Sequence, residues 1–152
     1  MSGKKGKEIG IIAGILLLDQ FSKFFANKYL TLNQPVAVIK GFFYFTLVHN
    51  RGAAFGILKN QLPFFIITAL AAIILIVINL KNKQHEQPPV YSLSLSLILA
   101  GGLGNLIDRV CFGHVIDFLD FRFWPVFNIA DSAITIGAIL LGWNICIRKS
   151  VK

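Results

Sequence analysis

The chain is poor in charged residues, and acidic residues are the scarcest among them. Only 14% of its 152 residues are charged and only seven are acidic, whereas about a quarter of the residues in soluble domains are charged. The mean hydropathy is +0.69. This composition excludes an ordinary soluble globular domain and predicts one integral membrane domain over residues 1–152.

Several common sequence patterns are also missing. The lysines and arginines form no basic face, which excludes nucleic acid and favours anionic membrane lipids as the partner of the positive charge. No His-x-x-x-His or Cys-x-x-Cys spacing is present, so a metal site on His49, His114 and the aspartates is the weaker alternative and no cofactor is expected. The absence of an internal repeat argues against a transporter built from inverted halves.

The chain also lacks a signal-peptide cleavage site and has few cysteines. No small-residue cleavage site follows the first apolar run, so we interpret this run as a retained helix and not as a cleaved signal peptide. Only two cysteines are present, Cys111 and Cys146. If the four-helix topology below is right, they lie near opposite membrane faces, which excludes a disulfide between them and predicts two free, buried thiols.

Four apolar runs are long enough to cross a bilayer, which takes about 20 mostly apolar residues. They cover residues 9–26, 62–80, 91–107 and 130–147. Between the first two, Val36–Ile39 and Phe42–Val48 are rich in β-branched and aromatic residues and predict two short strands at the membrane interface. The predicted fold is an all-α membrane protein with four transmembrane helices and a small interfacial β-structure between helices 1 and 2.

The flanking charges predict the orientation. With four spans both termini lie on one side, and basic clusters abut the helix ends there: Lys4, Lys5, Lys7, Lys81, Lys83, Arg148, Lys149 and Lys152. The positive-inside rule makes this side cytoplasmic. The polar residues of the other helix ends then gather at the outer face, namely Asp19, Asn50, Asn105, Asp108, Asp117, Asn128 and Asp131.

Four of the seven acidic residues lie in one largely apolar segment, between Gly101 and Ala133. Ionisable groups at membrane depth are costly, so they indicate function. Asp117 and Asp131 are predicted to meet on the same side, and two carboxylates in a partly dry site share a proton. The ionised member can take a proton from water while the protonated member hydrogen-bonds a peptide carbonyl. We therefore predict a catalytic pair for peptide hydrolysis, the alternative for Asp131 being a charge that only complements a helix dipole.

The neighbouring polar residues have structural alternatives. Asn128 is a good N-cap for the fourth helix, and Asp19 and Lys23 are spaced to pair on one helix face. For Asp19, that pairing and a role in holding substrate or tuning the aspartates are equally open. Asp108 and Arg109 are interpreted as one buried polar network that also involves Asn105. Asp120 and Arg122 are interpreted as solvated loop charges.

Glycines near the end of the third helix, Gly101, Gly102 and Gly104, predict close packing against a neighbouring helix and room for a peptide backbone.

Two other functions remain alternatives. A small proton-coupled exporter would use Asp19 or the Asp117/Asp131 pair as a relay, but it predicts carboxylates near the bilayer midplane. A scaffold subunit would use the polar residues only for structure.

At this point the residues match a known family. The chain resembles bacterial lipoprotein signal peptidase (signal peptidase II) from about Ile11 to Ile147. Five motifs follow in the order of the family, at residues 19–23 (DQFSK), 50–55 (NRGAAF), 101–109 (GGLGNLIDR), 115–118 (VIDF) and 127–132 (FNIADS).

The resemblance implies an aspartic endopeptidase of the bacterial cytoplasmic membrane with its site at the outer face. It would remove the signal peptide from diacylglyceryl-modified prolipoproteins, just before the lipidated cysteine, as a monomer, and globomycin-type inhibitors would block it. Asp117 and Asp131 fall on the catalytic aspartates. The positions that support the site or contact substrate are Asp19, Lys23, Asn50, Gly52, Gly104, Asn105, Arg109, Asn128 and Ala130.

The resemblance also implies that the interfacial β-cradle of the family corresponds to residues 36–48. One departure is visible, because the segment from Leu119 to Val126 is shorter than in some relatives. This segment lies between the two predicted catalytic aspartates.

Overall fold

A computed structural model describes residues 2–52, 60–81 and 88–150 of the chain. In this part of the chain the helices are α1 (Ser2–Tyr29), α2 (Leu62–Lys81), α3 (Pro89–Phe112) and α4 (Ile129–Ser150). The strands are β1 (Val36–Ile39), β2 (Phe43–Asn50) and β3 (Val115–Asp120). Each helix is long and apolar enough to cross a membrane, so the predicted fold class is confirmed.

Helix α3 is the centre of the bundle and contacts the other three helices. Pro89 occupies its first turn, where the missing N–H costs nothing. At the other end Gly113 adopts φ +74° and its N–H donates to the Arg109 carbonyl at 3.1 Å, which closes the helix. The helix therefore runs past the predicted limit at Ile107 and carries Asn105, Asp108 and Arg109 on its last turns.

The strands form one antiparallel sheet in the order β1–β2–β3. Strands β1 and β2 agree with the two predicted from composition, whereas β3 was not predicted. It pairs with β2 so that Asn50 lies opposite Val115 and Val48 lies opposite Asp117. The sheet thus brings the chain before α2 against the chain between α3 and α4. We call the end of the bundle that carries it the sheet end.

The inside of the bundle is polar and its outside is apolar. Among the largest fully buried side chains are Lys23, Asn128, Asp19, Asp108 and Asp117, whereas α2 has no buried residue at all. In a membrane the apolar side chains lose nothing by facing lipid, while polar groups find partners only inside the protein. The buried polar core therefore sets the packing of α1, α3 and α4.

Glycines allow α1 and α4 to approach α3 closely. A Cβ at Gly101 would overlap the Ala130 carbonyl, and a Cβ at Gly104 would overlap the Asp19 carboxylate and crowd the Ala130 methyl. The predicted burial is correct for Gly101 and Gly104, whereas Gly102 is half-buried and lines a groove between α2, α3 and α4. The predicted room for a peptide backbone is wrong at Gly101 and Gly104, because α4 and the Asp19 side chain fill that space.

The two cysteines differ from the prediction. Cys111 and Cys146 are both exposed on their helices and not buried. A thiol is small and weakly polar, so a lipid-facing position suits it as well as a core position does.

Candidate active site

Strand β3 places Asp117 at the sheet end, where it is 1% exposed. Its Oδ2 accepts a hydrogen bond from Asn50 Nδ2 at 2.9 Å, and its Oδ1 accepts one from Asn128 Nδ2 at 2.7 Å. The Gly52 N–H donates to Asn50 Oδ1 at 3.0 Å. This contact fixes the Asn50 amide so that its NH₂ group faces the aspartate.

Asp131 lies in the first turn of α4. Its Oδ1 accepts from Asn105 Nδ2 at 2.8 Å, and its Oδ2 accepts from the Asn128 N–H at 3.3 Å. In return the Asp131 N–H donates to Asn128 Oδ1 at 2.8 Å. The two residues form a reciprocal capping box at the start of the helix, with Asn128 as the predicted N-cap.

Asn128 connects the two aspartates because it contacts both. Its amide also donates to Asn105 Oδ1 at 3.1 Å and to the Ile116 carbonyl at 3.3 Å. Both carboxylates face one cavity of about 260 Å³. The other polar residues that line this cavity are Asn50, Gly52, Asn105, Arg109 and Thr135.

The electrostatics favour a shared proton. Burial, and then the negative charge of Asp131, raise the pKa of Asp117 from 3.8 to about 7, against hydrogen bonds from Asn50 and Asn128. A carboxyl with this pKa holds its proton close to neutral pH. The pair can therefore present one acid and one base at once, as hydrolysis of a peptide bond requires.

This pKa predicts a pH-dependent stability. The folded protein keeps the Asp117 proton up to about pH 7, whereas the unfolded chain releases it near the ordinary pKa of 3.8. Between these values the folded state binds more protons, so stability falls as pH rises, by up to about 1.4 kcal/mol per pH unit. Asp117→Asn removes this dependence. We expect its melting temperature, minus that of wild type, to increase from about pH 5 to pH 7 and then level off. A constant difference would contradict the raised pKa.

A second layer of charges lies beneath the cavity. Lys23 is 1% exposed, and its Nζ lies 2.8 Å from Asp19 Oδ2, 2.8 Å from Asp108 Oδ2 and 3.1 Å from Asn105 Oδ1. All three ammonium donors are therefore used. Through Asn105, this ammonium supports the side chain that orients Asp131.

Asp19 and Asp108 connect the buried charges around Lys23 to the backbone of α4 and β3. Asp19 Oδ1 accepts the Ala130 N–H at 2.8 Å, in the first turn of α4, and Asp108 Oδ2 accepts the Ile116 N–H at 3.1 Å, in β3. Asp19 is fully buried with both oxygens bonded. The predicted pairing with Lys23 is confirmed, and the full burial of Asp19 argues against direct contact with a substrate, whereas a role in tuning the aspartates stays a prediction.

The predicted buried polar network is confirmed for Asp108, which is fully buried and reaches Asn105 through Lys23. Arg109 joins it only through the Asn105 carbonyl and is half-buried, because residues adjacent on a helix point about 100° apart. One sequence interpretation is wrong. Asp120 is not a solvated loop charge, since it ends strand β3 and is 5% exposed. Its partner Arg122, by contrast, keeps a side chain 46% exposed.

Arg109 instead faces the cavity. Its guanidinium lies 4.9 Å from the centre of the Phe65 ring, and its Nη1 lies 3.5 Å from the Asn105 carbonyl. It lines the same cavity as both aspartates. Arg109 therefore supplies the positive charge on the open side of the site, whereas Lys23 supplies it from below.

Gln20 is a supporting residue that sequence reasoning did not select. Its Nε2 lies within hydrogen-bond distance of Asp19 Oδ2, the Gly104 carbonyl and Asp108 Oδ1, at 3.1, 3.3 and 3.2 Å. Its position inside the DQFSK motif was the available signal. The two histidines of the metal alternative, His49 and His114, stack on each other with ring centres 4.0 Å apart.

Four membrane-crossing helices and a small sheet that bring two carboxylates to one cavity define a class, the polytopic membrane proteins with an aspartic-peptidase arrangement. The comparisons with known proteins agree with it. A family model described as Signal peptidase (SPase) II matches residues 11–147. The lipoprotein signal peptidase of Caldanaerobacter subterraneus is 47% identical over 146 residues, which cover 95% of this chain and 99% of that protein. The lipoprotein signal peptidase of Burkholderia ambifaria is 46% identical over 149 residues, covering 94% and 89%.

Solved structures give the same result. A bacterial membrane enzyme determined by the in meso method at 2.3 Å resolution superposes with a TM-score of 0.91 at 35% identity, covering 97% of this chain and 92% of that one. The chain belongs to the signal peptidase II family. It is an aspartic-type peptidase and a bacterial multi-pass membrane protein. The alternative function as a proton-coupled exporter gains no support from these matches.

Proposed function

We propose that this protein removes the signal peptide from diacylglyceryl-modified prolipoproteins, cutting just before the lipidated cysteine. The observation that carries the proposal is the pair Asp117 and Asp131, which line one cavity at the sheet end. Membership of the signal peptidase II family, and its lipoprotein signal peptidase relatives, supply the substrate class.

A second cavity explains how a membrane-bound substrate reaches the pair. It has a volume of about 360 Å³ between α2, α3 and α4, and it shares Asn105, Arg109, Asp131 and Ile134 with the first cavity. The rest of its lining is mostly apolar and includes Phe65, Ala69, Ala72, Ile73, Ile76 and Ile98. An apolar signal sequence can lie in this groove and deliver its end to Asp131 without leaving the membrane. Lateral entry of this kind suits a substrate that acyl chains confine to the bilayer.

In the proposed reaction Asp117 holds the shared proton, because burial and Asp131 raise its pKa to about 7. Asp131 takes a proton from the attacking water, and Asp117 hydrogen-bonds the scissile carbonyl. As the tetrahedral intermediate collapses, Asp131 passes the proton that it took from water to the leaving nitrogen, the peptide bond breaks, and Asp117 keeps the shared proton. Asn50, Gly52, Asn105 and Asn128 position the two carboxylates, and Arg109 lines the substrate space.

The remaining residues act on the backbone of the site. We propose that Asp19 and Lys23 hold the first turn of α4 through Ala130, and that Gly104 leaves room for the Asp19 carboxylate. Residues 1–152 would then form one membrane domain.

The proposed setting follows from the flanking charges. The basic clusters at the termini and after α2 support a cytoplasmic location of these ends by the positive-inside rule, and the sheet end with its cavity would then face the outer leaflet of the inner membrane. Membrane lipids surround the exposed apolar helix faces. We propose that the protein works as a monomer, since one chain supplies both aspartates, and that globomycin-type inhibitors bind at the cavity.

The test is cleavage by the purified protein in detergent. A diacylglyceryl-modified prolipoprotein should be cut before its cysteine, whereas the same precursor without the lipid should be cut at least about a hundredfold more slowly, because it lacks the two acyl chains that hold the residue at the cut against the membrane. A chelator should leave the rate unchanged. Loss of activity in chelator would favour the metal alternative, and failure of folded protein to cut either precursor would overturn the proposal.

A further inference from the structure

The loop between β3 and α4, residues 121–127, forms one wall of the cavity that both aspartates face. Its members Trp124, Pro125, Val126 and Phe127 line this cavity. The loop has no regular structure over most of its length, so its path depends on the side chains that hold it.

Asp120 holds the start of this loop. Its Oδ2 accepts a hydrogen bond from Thr46 Oγ1 at 2.7 Å, and its Oδ1 accepts one from the Arg122 N–H at 2.8 Å. Arg122 Nη1 also lies 3.4 Å from Asp120 Oδ2. One buried carboxylate thus joins strand β2 to the first turn of the loop.

The backbone of Arg122 is strained, which indicates that its surroundings determine the path of the loop. Its φ is +66°, a left-handed conformation that costs energy for a residue with a side chain. Its guanidinium lies 4.1 Å from the centre of the Tyr44 ring in β2. A strained residue persists where its surroundings determine its conformation, and here these surroundings are Asp120, Tyr44 and the aromatic rings that pack on Phe121 and Phe123.

The other end of the loop is fixed separately. The Leu119 N–H donates to the Phe127 carbonyl at 2.8 Å and the Phe127 N–H donates back at 3.1 Å. The Phe121 ring stacks on the Phe127 ring with centres 5.9 Å apart. These contacts between the two ends of the loop do not involve the Asp120 side chain. Loss of Asp120 should therefore release the loop around Trp124 and leave Asn128 and the aspartates in place.

We propose that Asp120 is a positioning residue for the substrate, which acts through Arg122 to hold the loop wall of the cavity. The inference rests on the proposed function, because it assigns this wall to substrate binding. Asp120 does not itself line the cavity, so its loss weakens substrate binding and leaves the chemistry of the pair intact.

The kinetic test compares three variants on the diacylglyceryl-modified precursor. Asp120→Ala should raise KM about tenfold, with kcat within about threefold of wild type and the pH profile unchanged. Asp120→Asn keeps an oxygen for the Arg122 N–H and should recover most of the loss. Thr46→Val removes one hydrogen bond in a side chain of similar shape and should raise KM by a smaller factor.

A spectroscopic test follows the loop directly. The chain has two tryptophans, Trp124 and Trp143, and both are already more than half exposed, so quenching of Trp124 starts from a measurable baseline. In a Trp143→Phe background, Asp120→Ala should increase acrylamide quenching of Trp124, whereas Asp120→Asn should not. A general loss of stability would lower the melting temperature without changing quenching of the folded protein.

The outcomes separate the two proposals. Unchanged KM and unchanged quenching in Asp120→Ala would overturn the positioning role. A fall in kcat with an altered pH profile would also overturn it, because Asp120 would then take part in proton transfer. If Asp120→Ala fails to fold, Thr46→Val and Arg122→Gly, which tolerates the positive φ, carry the same test. An inactive wild type would refute the proposed function, while the quenching still tests the loop.

Discussion

Changing Asp117 or Asp131 to asparagine is expected to lower kcat on the modified prolipoprotein by about a thousandfold or more. An asparagine can neither accept the proton of the attacking water nor donate a carboxyl proton to the scissile carbonyl. Each half of the reaction therefore loses its acid or its base. The two carboxylates share one cavity and one bridging residue, Asn128, so the double variant should be no worse than either single variant.

The fold should survive these changes. In the Asp131→Asn variant an amide NH₂ group would meet either the Asn105 amide or the Asn128 N–H, which costs about 1 kcal/mol as a lost capping contact. Melting temperature and detergent-purified yield measure this cost beside cleavage rates. The matched control is Glu8→Gln, the same chemical change near the far end of α1. A variant that retains a tenth or more of wild-type kcat would remove its aspartate from the mechanism.

Replacing Lys23 by methionine is expected to destabilise the folded protein by about 3–5 kcal/mol, the usual consequence of leaving buried charges without their partner. Lys23 is the ammonium between Asp19 and Asp108, at 2.8 Å from each. Both carboxylates are 0% exposed. Without Lys23 they repel each other in a site from which water is excluded. Activity should fall as well, since Asn105 loses the donor that helps orient it.

Thermal unfolding in a mild detergent measures this effect, with Lys28→Met as the matched control. Lys28 lies on the same helix but is exposed, with its ammonium over the Tyr29 ring, so its replacement should change stability by no more than about 0.5 kcal/mol. Adding Asp108→Asn to Lys23→Met should recover part of the loss, because one uncompensated charge disappears. Equal melting temperatures for the Lys23 and Lys28 variants would show that the network contributes no net stability.

Most of the helical architecture is predictable from composition because a bilayer makes simple demands. A span needs about 20 apolar residues whatever it packs against, so four runs suffice to locate α1 to α4. Strands β1 and β2 have the composition of strands. Strand β3 does not alternate, because five of its six residues are buried, and a short apolar run of this kind is compatible with loop, helix or strand.

The polar residues show where prediction from local pattern fails. Asp120 and Arg122 stand two residues apart near the end of an apolar run and look like a loop, yet Thr46, 74 residues earlier in the chain, covers Asp120. Asp108 stands beside Arg109 but finds its partner, Lys23, on another helix. The roles of Asp117, Asp131 and their supporting residues remain predictions that the variants above test.

Composition and motif order are properties of the chain alone, and they suffice for the membrane setting, the number of spans and the family. Each apolar segment partitions into the bilayer independently of the others. The membrane setting and the number of spans can therefore be predicted without knowing which residues are in contact. The partners of the buried polar groups depend on the whole fold. Asn128 contacts both aspartates, and Asp19 reaches Ala130 across 111 positions of sequence, only because α1, α3, α4 and β3 meet at the sheet end. A buried polar atom bonds to whatever the fold brings within about 3 Å, and no local pattern records that distance.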